Sequence, residues 1–156
     1  MGSLGASVNT GESRKGALKM TLRITNDGNE RDIEEIHRML KAYNLRNRET
    51  SESVPLGIFY EDAAGKKQAG LTGETFGNWL CIQYLFVEES LRGQGVGSRL
   101  LSAAETEAKK RGCKYAFLDT FSFQAPEFYR KSGYREVFAL TEYPYTGARY
   151  YYTKVL

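Results

Sequence analysis

This chain has little of what many functional sites are made from. Its 156 residues include one histidine, His37, so no multi-histidine metal site can form. Its two cysteines, Cys81 and Cys113, are too few for a disulfide framework and fall in no CxxC or Cys/His spacing. That usage implies a reduced, cytoplasmic setting and no bound metal. No apolar run is long enough to cross a bilayer, which excludes a helical membrane span and argues against a membrane partner. The formal charge is only +3, and Lys and Arg are scattered without forming a stripe, so nucleic acid is not implied either. Internal repeats and interdomain linkers are also missing.

Residues 1–19, MGSLGASVNTGESRKGALK, are small, polar and aperiodic, and they lack the apolar stretch of a signal peptide. They are expected to be a disordered leader or tag. The myristoylation pattern that starts at Gly2 asks for Ser or Thr where Ala6 stands, so it does not apply. Residues 20–156 are expected to form one domain, for which 41% hydrophobic residues supply a core.

Hydrophobic periodicity gives the elements. LRIT (22–25) alternates like a strand. Asn26 and Asp27 offer caps to a helix whose Ile33, Ile36, Leu40 and Tyr43 recur at helical spacing. VPLGIFYED, KQAGLTGETFG and NWLCIQYLFV, punctuated by AAGK and GN, predict three antiparallel strands joined by hairpins. Gly97, Leu100, Leu101, Ala104 and Ala108 then make one apolar helical face, closed by Arg111–Gly112. KYAFLDTF predicts a strand and APEFYRKSG a short helix. YREVFALT and RYYYTKVL predict two last strands around YPYTG. The order β-α-β-β-β-α-β-α-β-β describes a single α/β domain of the α+β type. Its mixed, mostly antiparallel sheet of about seven strands would be flanked by helices.

The densest feature is RGQGVGSRLL, with Gly93, Gly95 and Gly97 at alternate positions between the strand YLFV and a helix. A glycine loop opening a helix lets backbone N–H groups approach an anion closely, and the helix dipole favours negative charge there. Three cradles share this logic. A Walker loop needs a Lys and a hydroxyl after its last glycine, and none follows here. A dinucleotide fingerprint beginning at Gly93 and Gly95 would need glycine where Ser98 stands, although Asp119 lies at a suitable distance for a ribose contact.

The third cradle is the pyrophosphate loop of the GNAT superfamily of acyl-CoA-dependent N-acyltransferases. Arg92-x-x-Gly95-x-Gly97 resembles its [Q/R]-x-x-G-x-[G/A] motif, and APEFYRKSGY resembles its second signature. The order of elements agrees from about Leu22 to the C-terminus. The resemblance implies a GNAT fold and acetyl-CoA as co-substrate, with acetyl transfer straight to a primary amine of a small molecule or peptide. It implies that Arg92, Gly93, Gln94, Gly95, Val96, Gly97 and Ser98 hold the pyrophosphate. It also implies that the backbone of Leu85, Phe86 and Val87 pairs with the pantetheine arm. Ser122 stands where many members carry a CoA-contacting Asn. Tyr129 matches the tyrosine that protonates the departing thiolate, and a phenol near pH 10 stays protonated at neutrality.

No carboxylate stands at Cys81 or Gln83, where members with a carboxylate base place one. The proton of the attacking amine therefore needs ordered water or a neighbouring carboxylate, for which Glu74 and Asp119 are the candidates. Covalent transfer through Cys81 has no histidine following in sequence to activate it. Tyr143, Tyr145 and Tyr150 of the aromatic tail are candidates to line the acceptor cleft. The rivals are a non-catalytic acyl-CoA-binding module and, through the broken fingerprint, a nucleotide-dependent oxidoreductase. A homodimer is left open.

Overall fold

The computed structural model describes residues 20–26, 29–49 and 52–156. The chain divides into two compact units, Met1–Tyr43 and Asn44–Leu156. In the first, the expected opening strand at Leu22–Thr25 is irregular. A four-residue strand is stable only with a sheet neighbour to take its ladder hydrogen bonds; here Arg23 instead forms an ion pair with Asp32. Helix α1 (Glu30–Asn47) begins after Asn29, whose Oδ1 accepts the Arg31 N–H at 3.0 Å. Asn29 therefore takes the capping role expected of Asn26 or Asp27; Asp27 and the leader 1–19 lie outside the described residues.

The second unit carries β1 (Ser53–Glu61), β2 (Lys67–Phe76), β3 (Trp79–Val87), α2 (Val96–Lys110), β4 (Tyr115–Phe121), α3 (Pro126–Lys131), β5 (Arg135–Thr141) and β6 (Ala148–Val155). The sheet has six strands in the order β1-β2-β3-β4-β6-β5. The count is close to the expected seven, and among the described residues the element order is α-β-β-β-α-β-α-β-β. Only β3 and β4 are parallel. Helix α2 makes the crossover between them that a parallel pair needs. Among the described residues no helix is long and apolar enough to cross a membrane.

Helix α2 is amphipathic as predicted. Val96, Leu100, Leu101, Ala104 and Ala108 are buried, and they pack with Leu71, Leu80, Ile82, Ala116 and Leu118 of the sheet. Each large side chain so buried is worth about 1.5–3 kcal/mol, while the two alanines bring the helix backbone close to the strands. The helix ends in a Schellman motif. Cys113 N–H reaches Ala108 O (2.9 Å) and Gly112 N–H reaches Lys109 O (3.0 Å), with Gly112 at φ +88°.

The feature that makes a site is a parting of the sheet. β3 and β4 pair only at Trp79↔Tyr115, Leu80↔Ala116 and Cys81↔Phe117, although they continue to Val87 and Phe121. On their outer sides both stay paired, β3 with β2 as far as Val87 and β4 with β6 as far as Phe121. A β-bulge lies where β3 leaves β4: Thr72 pairs with Tyr84 and Gly73 with Ile82, so Gln83 is the extra residue. Bulges bend a strand and sharpen its twist. Gly73 permits this one, because a Cβ there would stand 2.2 Å from the Cys81 carbonyl oxygen.

Gly73→Ala should therefore destabilise the protein by about 1–3 kcal/mol, the usual cost of overpacking, because the obstacle is backbone. Urea denaturation checks it. Gly57→Ala is the comparison, since its Cβ would meet only the movable ring of Phe59. Equal midpoints for the two variants would mean that the bulge relaxes freely.

Candidate active site

Where β3 and β4 part, a cleft of about 790 Å³ opens. One wall is β3 from Ile82 to Val87 with the following loop, and the other is Leu118, Asp119 and Thr120 of β4 with Phe123–Ala125, Phe128 and Tyr129. The facing edges of the two strands carry backbone groups with no ladder partner across the gap, which an extended ligand with amides of its own would satisfy.

The glycine loop closes one end. Arg92 donates from Nε to the Val87 carbonyl (3.1 Å), folding the loop back on the strand that delivers it. Gly95 caps α2 in the left-handed region (φ +74°) with no side-chain cap, and Gly93 has φ +73°. The first-turn amides of α2 are thus left for an anion, with the helix dipole behind them. Gly97 has a different reason to be glycine: its Cβ would stand 3.4 Å from the Phe128 ring, where α2 and α3 meet. Among the residues expected to hold a pyrophosphate, Arg92, Gly93, Gly95, Val96, Gly97 and Ser98 line the cleft, as do Leu85, Phe86 and Val87. The Gln94 side chain turns away to the Ser90 carbonyl (2.8 Å).

Tyr129 lines the same cleft, 8% exposed. The rings of Phe128, Tyr134 and Tyr152 stand at 5.1, 6.0 and 6.3 Å from its own. Its carbonyl accepts the N–H groups of Ser132 and Tyr134 at 3.0 Å each, so the C-cap of α3 fixes its backbone. Burial, with a smaller contribution from the Asp119 charge, raises the phenol above its ordinary pKa.

The two candidate carboxylates part company. Asp119 lines the cleft, and its Oδ2 accepts Arg149 Nε at 2.7 Å. Glu74 lies one strand further on, opposite Cys81, and takes a hydrogen bond from the Ser53 hydroxyl; it is not part of the cleft wall. Cys81 sits between them. Burial first, then the charges of Glu74 and Asp119, push its thiol pKa up, so it stays protonated and a poor nucleophile.

Ser122 serves the fold here. Its Oγ accepts the Ala148 N–H (3.1 Å) and its own N–H donates to the Ala148 carbonyl (2.8 Å), tying β4 to β6 outside the cleft wall. Tyr143 reaches the face where Asp119 and Arg149 lie, Tyr145 is almost fully exposed, and Tyr150 packs against the core beside Tyr152. Three residues had no role assigned from sequence: Gln83 and Gln124, which line the cleft, and Arg149, which pairs with Asp119 from outside its wall. The Gln124 Oε1 accepts the Phe121 N–H (2.9 Å) and the Thr120 hydroxyl (3.0 Å), shaping the wall beside Tyr129.

A family model described as an acetyltransferase (GNAT) domain matches residues 55–136. The chain is 40% identical over 101 residues to an acetyltransferase of Agrobacterium fabrum, a match covering 65% of this chain and 74% of that protein. It is 36% identical over 104 residues to blasticidin-S acetyltransferase of Streptomyces morookaense, covering 64% and 76%. Among solved structures, an acetyltransferase from Bacillus cereus superposes with a TM-score of 0.75 at 34% identity, over 86% of this chain and 98% of that one.

Gly95→Ala and Gly112→Ala place the same methyl in the same left-handed backbone at opposite ends of α2, each at about 1–2 kcal/mol. Both should lower the melting temperature. Only Gly95→Ala should also weaken coenzyme A binding, by about tenfold or more in a calorimetric titration. Equal affinities in the two variants would make the loop a turn and nothing else.

Proposed function

The chain belongs to the GNAT acetyltransferase family, and from that premise we propose that it moves an acetyl group from acetyl-CoA directly onto a primary amine. The observation that carries this is the single cleft that joins an uncapped, glycine-built helix N-terminus, a parted sheet and a buried tyrosine. Loop amides from Gly93 to Ser98 hold the pyrophosphate, with Arg92 fixing the loop to β3. The free edge of β3 takes the pantetheine amides as a further strand would. Acetyl-CoA supplies the activated acyl group; the protein supplies alignment, and a β3 N–H turned to the carbonyl oxygen where negative charge builds.

Tyr129 gives its phenolic proton to the departing sulfur. Asp119, on the cleft wall, is the carboxylate that meets the incoming ammonium and passes its proton to water; Glu74 stands too far aside for that part. Cys81 forms no covalent intermediate. With both cysteines free, a reducing cytoplasm suits the protein.

Ligand-induced stabilisation tests the co-substrate. Acetyl-CoA should raise the melting temperature, whereas NAD and ATP at the same concentration should not, because only a ligand of the native state stabilises it. Stabilisation by NAD in place of acetyl-CoA would restore the dinucleotide alternative. Acetyl-CoA binding with no thiol release on any amine would leave a binding module.

Tyr129→Phe keeps the ring among its three aromatic neighbours and removes only the proton. Turnover should fall by about a hundredfold, the lower end for general acids, with acetyl-CoA affinity and melting temperature kept. In the wild type the raised pKa has a signed consequence. The acid is active when protonated, so its alkaline limb must lie above the ordinary tyrosine value of about 10. A pH–rate profile that loses activity through Tyr129 ionisation between about pH 8 and 9, a limb absent from Tyr129→Phe, would contradict the assignment.

A further inference from the structure

Resting on the acetyl-transfer function proposed above, we propose that Arg149 recognises the acceptor: its guanidinium binds a carboxylate carried beside the reacting amine, which makes amino acids and short peptides the acceptor class. Arg149 stands on β6 opposite Phe121 of β4, and Tyr151 stands opposite Asp119. Strand alternation puts Asp119, Phe121, Arg149 and Tyr151 on the sheet face away from α2. The core side of the same strands is taken by Leu118, Thr120 and Tyr152. Tyr129 and the helix N-terminus approach the cleft from that core side. An amine that attacks a thioester held in the gap therefore arrives on the face where Asp119 and Arg149 lie.

The surroundings of Arg149 exceed what an ion pair needs. Its guanidinium carbon lies over the rings of Phe121 (5.3 Å), Tyr143 (5.8 Å) and Tyr151 (5.5 Å). Its bond to Asp119 runs from Nε to Oδ2. A guanidinium has five N–H donors, and four of them are on the two Nη groups. The guanidinium also hydrogen-bonds the Tyr143 side chain, and 30% of the Arg149 side chain is exposed. A weakly hydrated, planar fork held by aromatic rings is suited to bidentate carboxylate binding.

The turn between β5 and β6 is built to keep Tyr143 there. Tyr143 N–H donates to the Gly147 carbonyl at 3.0 Å. A Cβ on Gly147 would stand 2.8 Å from the Tyr143 oxygen and 3.2 Å from the Ser122 hydroxyl. β4 and β6 are already joined by a continuous ladder from Tyr115↔Val155 to Phe121↔Arg149, so the Asp119–Arg149 pair is not needed to hold them. Asp119 is on the cleft wall and Arg149 is paired with it just outside that wall, so the two match a ligand with the opposite pair, an ammonium next to a carboxylate. A polycationic acceptor would meet Arg149 as a like charge, which discriminates against it.

Matched acceptors test this. Amino acids and dipeptides are compared with their C-terminal amides, which present the same amine without the carboxylate, at saturating acetyl-CoA. The free acids should be better substrates by about tenfold or more in kcat/KM. Arg149→Gln should bring the acid-to-amide ratio of kcat/KM down to about one, chiefly through a KM for the acids raised about tenfold, with the affinity for acetyl-CoA kept. Arg149→Lys, which keeps the charge but loses the fork, should fall between them. It also serves, with the wild-type comparison, if the Gln variant folds poorly. Amides acetylated as well as acids, or turnover confined to polyamines, would overturn the proposal. Acetyl-CoA bound in a calorimeter with no acid-bearing amine acetylated overturns it too and leaves the CoA assignment standing. Failure to bind acetyl-CoA at all would take down both.

Discussion

The parallel ladder between β3 and β4 runs for three residue pairs, ending at Cys81↔Phe117, and then stops while both strands go on. Unpaired backbone inside a protein is unfavourable unless something answers it. Here the proposed answer is an extended ligand, and the local sequence keeps the gap open. The bulge at Gln83 turns β3 aside, Gly73 makes room for it, and the glycine loop sets the start of α2 at the open end. A fully zipped sheet would bury the same apolar residues and hold no cleft.

The parted sheet also separates two kinds of chemistry. On the core side Tyr129 is held among three rings and kept neutral by burial, as a proton donor must be. On the other face Asp119 pairs with Arg149 at 2.7 Å. Both residues line the one cleft that the parted strands open. These unlike surroundings follow from Tyr129 being buried on α3 and Asp119 lying on the face of β4 away from the core.

Much of this was legible in the sequence where the signal is local. The three hairpin strands, the apolar stripe of α2, its Arg111–Gly112 end and the loop Arg92–Gly97 are patterns of neighbouring residues, and each stands where expected. The reason for each glycine was less legible. Gly93 and Gly95 are set apart by backbone angle, while Gly97 depends on Phe128, thirty-one residues later in the chain. What was less legible was non-local. The alternation in Leu22–Thr25 carries no information on a pairing partner, and Ser122 pairs with Ala148 through a register that no short window reveals. Arg149 was missed for the same reason, since its meeting with Asp119 depends on β6 lying between β4 and β5.

The short ladder also makes a seam. Strands β1, β2 and β3 form one meander of sequence neighbours, and β4, β5 and β6 form a second group within the last forty-two residues. Each group can zip early through nearby contacts, whereas joining them must wait for the α2 crossover to close a longer loop. Three residue pairs and the packing of α2 on both sides then hold the halves together. A molecule lying along the gap would work as a splint, turning two semi-independent folding units into one. Occupancy of the cleft would thus set how cooperatively the whole sheet comes apart, as well as how tightly its ends are held.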